Sequence, residues 1–201
     1  MAEQSAGLLR LAAALHPLDT DPKQLPVVGY RPDGEDWKPS PAAVLVPICL
    51  DAEHAVILTV RSRHLPHHAG QVSLPGGSPN PGEVSPVVTA LREANEEIGI
   101  SVDQVRPLGL LPRCDTITAY RITPVVGLVT TATALQPNPD EVSEAFSVPL
   151  ARVLDPSSYR SHRIERAGKT FEAWSMCSDH RPIWGATAAI LRELAMMVEK
   201  V

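Results

Sequence analysis

Glu93, Glu96 and Glu97 crowd the end of one short segment, Ser85 to Gly99, and three carboxylates so close together need a chemical reason. At about 100° per residue they gather on one side of a helix, while Val87, Leu91, Ala94 and Ile98 form a narrow apolar stripe on the other. Like charges at i,i+3 and i,i+4 cost roughly 0.2–0.5 kcal/mol per pair, and the C-terminal end of a helix disfavours anions. Arg92 neutralises only part of that charge. A hard divalent cation takes several carboxylate oxygens at once, so a magnesium- or manganese-type site is the economical account. A solvated acidic face is the other account of the same three glutamates.

The elements that must position them are legible on either side. Ser85 followed by Pro86 has the form of an N-cap with proline at the first helical position, and Gly99 has the form of a C-terminal stop, which predicts a helix over 86–98. Before it, Gly76, Gly77 and Gly82 with Pro79 and Pro81 make a rigid turn, whose glycines allow close backbone approach and free a carbonyl or amide for a ligand. Glu83 brings a fourth carboxylate to the helix entrance.

Gly77, Glu83, Arg92, Glu93, Ala94, Glu96, Glu97, Gly99 and Ile100 together resemble the box of the Nudix family, usually written GX5EX7REUXEEXGU. One register differs, with eight residues between Glu83 and Arg92 where the general box has seven. That extra residue is a feature of the coenzyme A pyrophosphatase branch. Upstream, Leu58, Thr59, Arg61, Ser62, Leu65, His68, Ala69, Gly70, Gln71, Val72, Pro75, Gly76 and Gly77 are similar to that branch's LLTxRS…HxGQVxFPGG block. Leu74 stands where phenylalanine is usual, and Pro66 where a basic residue is common.

The resemblance implies an α/β fold, a Nudix-type α/β/α sandwich around a mixed sheet, here with an added N-terminal helix. It implies a metal site of Gly77 through its backbone oxygen, Glu93, Glu96 and Glu97, with Glu83 as a ligand or a support. Family members often recruit a carboxylate from outside the box, and of Asp140, Glu141 and Glu144 we favour Glu141. The catalytic set is then Glu93, Arg92, Glu96 and Glu97, with Glu93 or a neighbouring carboxylate taking a proton from water and Arg92 holding a glutamate through a bidentate pair. A surface ion pair is the plainer role for Arg92. Arg61, His68 and Gln71 are the substrate-binding candidates, against a mobile polar loop as the plain account of the segment with His64, His67 and His68. Pro66 prevents those histidines from lining up on a helix as transition-metal ligands.

Composition narrows the class. With 201 residues and 44% hydrophobic content the chain can bury a full core of one domain. A net charge of −5 supplies no global attraction for nucleic acid or for acidic membranes. Cys49, Cys114 and Cys177 are odd in number and lack metal or redox spacing, which points to reduced thiols in the cytoplasm, with Cys49 in the core. Nor does any apolar run approach the roughly 18 residues that cross a bilayer. No GxSxG motif or cysteine nucleophile arrangement is visible, which argues for direct attack by water.

Along the chain, Ser5 is expected to cap a helix over 6–16, followed by a Pro-rich surface connection from Thr20 to Pro41. Residues 1–41 are thus expected as N-terminal helix and connection, and 42–201 as the hydrolase domain. Runs 43–50 and 55–61 predict a hairpin turning at 51–54; runs 105–112 and 122–129 predict further strands, with a short strand from 144, a short helix from 150 and a late hairpin after 159. Ile183, Ala186, Ile190, Leu194 and Met197 predict one face of a long closing helix, with Trp184 and Gly185 as packing features.

The leading expectation is a metal-dependent hydrolase that splits coenzyme A or its thioesters, acting as a monomer or homodimer on a small-molecule nucleotide, with Mg2+ or Mn2+. Its rivals are hydrolysis of ADP-ribose or a dinucleotide, and a Nudix-fold regulatory module that binds a nucleotide without cleaving it. Degenerate modules often lose box glutamates, and all three are present here.

Overall fold

The β-branched runs close into one large mixed sheet in the computed structural model, which describes residues 2–30, 37–50, 54–130, 134–166, 169–178 and 181–201. After helix α1 (Ala2–Ala14) come strands β1 (Val27–Gly29), β2 (Ser40–Cys49), β3 (Ala55–Arg61), β4 (Val72–Ser73) and β5 (Gly76–Gly77), then helix α2 (Pro86–Ile98). Strands β6 (Val105–Leu110), β7 (Arg113–Asp115), β8 (Tyr120–Val129) and β9 (Val142–Pro149) follow, with the short helix α3 (Leu150–Val153). Strands β10 (Arg160–Arg166), β11 (Lys169–Ser178) and β12 (Arg181–Trp184) and helix α4 (Ala186–Glu199) complete the chain. The main sheet runs β1-β7-β8-β2-β3-β4, with β5 on β2, β6 on β8 and β9 on β3, while β10-β11-β12 form a separate antiparallel sheet. At the centre β2 and β8 pair in parallel from Ser40↔Tyr120 to Cys49↔Val129.

Period-two alternation along these strands sorts the side chains into two cores. Val44, Val46, Ile48, Val56 and Leu58 face one side, where Ile190, Leu191 and Leu194 of α4 and Leu11 of α1 cover them. Ala43, Leu45, Ile57, Val125 and Val129 face the other, where Ala90, Leu91, Ala94 and Ile98 of α2 cover them. Two helical layers on one sheet make the expected α/β/α sandwich. Truncating a side chain such as Leu45, wholly buried in the α2-side core, costs about 2–5 kcal/mol.

Several local expectations are corrected. Helix α1 starts at Ala2, so Ser5 lies within it and is not its cap; Ala2, Glu3 and Gln4 are good helix formers ahead of it. The helix stops at Ala14, and His16, which precedes Pro17 and is therefore biased to extended backbone, bridges Leu110. The connection from Thr20 contains a 3-10 turn at Pro22–Gln24 and strand β1, which runs parallel to β7. Leu11 and Leu25 are buried, so both parts of the N-terminal segment rest on the main cores. Ile183 belongs to β12 and not to the closing helix, because Gly185 at φ +66° breaks the chain direction between them. Trp184 is 47% exposed and so is not a packing residue, and Cys49 is only half-buried at the edge of the α2-side core. Residues 51–53 of the expected hairpin turn lie outside the described residues; the strands they join pair at Ile48↔Val56 and Cys49↔Ala55. No described helix is long and apolar enough to cross a membrane.

Candidate active site

Helix α2 has the predicted bounds because its caps are local. The Ser85 hydroxyl accepts from the Val87 amide at 3.2 Å, Pro86 fills the first turn, and Gly99 takes a left-handed φ of +72°. Beyond Gly99 the chain returns to the helix end: the amides of Gln136 and Asn138 donate to the Ile98 and Glu97 carbonyls at 3.0 and 2.9 Å. Two carbonyls that a helix terminus leaves unpaired are satisfied in this way. The same loop then carries Glu141 against the helix, where its carbonyl accepts from the Ser62 amide at 2.8 Å.

The result is a cluster of Glu93, Glu97 and Glu141, each offering a carboxylate oxygen within 4.8 Å of the others. Glu141, chosen from outside the box, is thereby brought to the helix; Asp140 and Glu144 are exposed, and Glu144 is tied to Arg181 at 2.8 Å. Glu96 is not in the cluster: its side chain is 51% exposed and pairs with Arg92 at 2.7 Å. Among the expected metal residues, then, Glu93 and Glu97 meet, and Glu96 shares the Arg92 guanidinium with Glu93 outside that group.

Glu97 is the least comfortable of the three. It is 2% exposed, its Oε2 has no hydrogen-bond partner among the described residues, and the nearest cation is Arg61 Nη1 at 3.9 Å from Oε1. Burial pushes its carboxyl up to about 8, against the pull of Arg61 and with the push of Glu93 and Glu141. Burial also raises Glu93, partly offset by Arg92. An orphaned buried oxygen beside two more carboxylates is a donor set that fits a hard divalent cation. Gly77 belongs to the same corner: a Cβ there would lie 2.5–2.7 Å from the Glu93 carboxylate and would displace it.

Glu83 is arranged differently. It accepts from Arg92 Nε at 2.8 Å, from the Thr89 hydroxyl at 2.8 Å and from the Asn80 amide at 3.0 Å. Arg92 above all, then these donors, hold its carboxyl down to about 2. Arg92 in turn donates to the Ser78 carbonyl and pairs with Glu93 at 2.9 Å, so one guanidinium ties the glycine-proline loop to both carboxylate groups. Burial alone would lower its affinity for the proton, but the glutamates raise it instead.

Of the substrate-binding candidates, Arg61 meets the cluster, whereas His68 and Gln71 bond one another at 2.9 Å in the exposed loop after β3. Sequence reasoning missed a cleft of about 300 Å³ beside that loop, lined by Val60, Gln71, Glu144, Arg181, Pro182 and Trp184. Strand pairing from distant segments creates it, and the one sequence signal was a tryptophan next to a glycine just before the last helix.

A family model described as the NUDIX domain matches residues 39–175. The "Uncharacterized Nudix hydrolase NudL" of Escherichia fergusonii is 41% identical over 157 residues, covering 78% of this chain and 82% of that protein. Its counterpart in Escherichia coli K12 matches to the same extent, 41% over 157 residues. Among solved structures, the Nudix hydrolase RenU of M. smegmatis is 24% identical over 58% of this chain and 74% of its own, with a TM-score of 0.48.

Proposed function

The chain belongs to the Nudix family of hydrolases, and from that premise we propose that it cleaves the diphosphate of coenzyme A or its acyl thioesters. The products are 3′-phosphoadenosine 5′-phosphate and 4′-phosphopantetheine or its acyl form. Nucleoside diphosphate derivatives are the substrate class of the family, and divalent cations are its general cofactors. Carrying the finer choice is one observation: the coenzyme A-type block from Leu58 to Gly77 runs into the carboxylate cluster itself, with Arg61 beside Glu97 and Gly77 beneath Glu93.

In this reading Glu93, Glu97 and Glu141, with the Gly77 carbonyl, hold magnesium or manganese, which when bound makes water more acidic and offsets charge on the diphosphate. Glu96 stands at the rim, and through Arg92 it steadies the helix end. Arg92 and Glu83 position the ligands: the guanidinium fixes Glu93, and Glu83 fixes the guanidinium. A Glu93 carboxylate oxygen accepts the proton of the attacking water. Arg61 meets the diphosphate oxygens with a guanidinium whose Nε has no hydrogen-bond partner among the described residues. His68 and Gln71 lie further out, where the rest of the nucleotide passes.

Mass spectrometry of products after incubation with coenzyme A and either cation tests the proposal. Release of 4′-phosphopantetheine, faster than any product from ADP-ribose or a dinucleotide, is the expected result. Equal or better turnover of those rivals would displace coenzyme A as the substrate while leaving a Nudix hydrolase.

A further inference from the structure

Val60 and Arg61 are consecutive on β3, so their side chains leave opposite faces of the sheet. Arg61 reaches the carboxylates under α2, and Val60 lines the 300 Å³ cleft on the α4 side. The two places are joined through the backbone. Gly70 and Gln71, both in the cleft wall, clamp Arg61: its amide donates to the Gln71 carbonyl at 3.0 Å and its carbonyl accepts from the Gly70 amide at 3.1 Å. The cluster and the cleft thus flank the same two residues of β3.

The cleft has an aromatic plate and a fixed acceptor. Trp184 lines it while staying 47% exposed, so a face of the indole is open to a ligand. Arg181 is held in place on two sides, its guanidinium 4.4 Å over the Phe146 ring and its Nη2 donating to Glu144 Oε1 at 2.8 Å. Its Nη1 is buried, so the guanidinium serves to hold Glu144 in place and does not itself face a ligand. Glu144 beside it supplies acceptor oxygens. In size the cleft is at the small end of ligand pockets, which run from about 300 to 1,000 Å³, so it takes one ring system and not a whole nucleotide.

We infer that this cleft binds the adenine ring of the substrate, stacked on Trp184, with the exocyclic amine donating to Glu144. A carboxylate acceptor matches adenine, which presents an amine there; guanine presents a carbonyl oxygen at the corresponding position. The inference rests on the proposed function for the nucleotide character of the substrate, and it adds which residues select the base.

Calorimetric titration of AMP into the full chain in EDTA tests it apart from catalysis. Wild type binds AMP, and Trp184→Ala weakens that binding by roughly five- to a hundredfold, the range that base stacking on an aromatic ring supplies. Trp184→Phe, which keeps a plate, retains most of the affinity. IMP, with a carbonyl in place of the amine, binds wild type about tenfold or more weakly than AMP. Absence of AMP binding to wild type, equal AMP affinity in wild type and Trp184→Ala, or equal affinity for AMP and IMP overturns the assignment. Hydrolysis separates the two claims: Trp184-dependent AMP binding without coenzyme A turnover supports the pocket and removes the substrate reading. Coenzyme A turnover with kcat/KM unchanged in Trp184→Ala removes the pocket and leaves the substrate reading.

Discussion

In the loop entering α2, Glu83 accepts hydrogen bonds from Asn80, Thr89 and Arg92 and is held down to about 2; near the helix end, Glu97 keeps an oxygen without a partner and is pushed up to about 8. Both are glutamates of one short box, and both are largely covered. The difference lies in where donors converge. One loop amide and two side chains of α2 converge on Glu83, so its charge is satisfied inside the protein and braces Arg92. Glu97 has been taken out of water with the Gly76 amide and the more distant Arg61 in return and one oxygen left without a partner, which is the condition of a side chain whose partner comes from outside.

Glu97→Gln attacks the unsatisfied side of this contrast, and the largest effect is expected there. Turnover at saturating cation falls about a hundredfold or more, at least the loss that follows removal of a group supporting a metal ligand, while the metal-free fold is kept. Near-normal turnover would return Glu97 to a purely structural part. Arg92→Lys attacks the satisfied side: lysine cannot make the forked contact to Glu83, so kcat falls roughly ten- to a hundredfold, and the melting temperature falls with it. Unchanged kcat with lowered stability would show that Glu83 and Arg92 brace the loop and do nothing for the site. Gly77→Ala displaces only the flexible end of Glu93, so about a tenfold loss of turnover is expected with little change in melting temperature.

The last effect is seen in stability alone. A carboxyl raised from 4.5 to about 8 favours folding while it is protonated, and that contribution is lost as pH rises through this window. In EDTA the protein therefore loses stability, on the order of several kcal/mol, between about pH 4.5 and pH 8. Glu97→Gln or added magnesium flattens the slope. Glu83 acts in the opposite sense: its contribution is present above pH 4.5 and disappears as pH falls toward about 2. Melting curves across pH for wild type and Glu97→Gln measure both limbs, and a flat wild-type curve between pH 5 and pH 8 would contradict the burial of Glu97.

How much of this was readable in advance depended on distance along the chain. The bounds of α2 followed from Ser85, Pro86 and Gly99, all of which act on the backbone within a turn of themselves. Spacing alone put Glu96 and Glu97 on the same side of the helix, yet one is exposed and the other buried. What divides them is the loop carrying Glu141, which folds back over Glu97 through contacts far apart in sequence. Ile183 fell in phase with the apolar face of α4, and a period of 3.6 residues cannot register that Gly185 turns the chain before the helix begins. The cleft at Trp184 required β3, β9 and β12 to be placed together, which no local pattern encodes.

The return of the chain to the end of α2 also makes the site's integrity visible to solvent deuterium. The Gln136 and Asn138 amides are tied to the Ile98 and Glu97 carbonyls, so they exchange only when the loop lifts from the helix. Glu141 lies three residues after Asn138 in the same loop, so its placement depends on that closure. The exchange rates of those two amides thus count the openings of the loop that leads to the third carboxylate, and slowing of exchange on addition of a divalent cation reports how strongly the ion draws the loop closed.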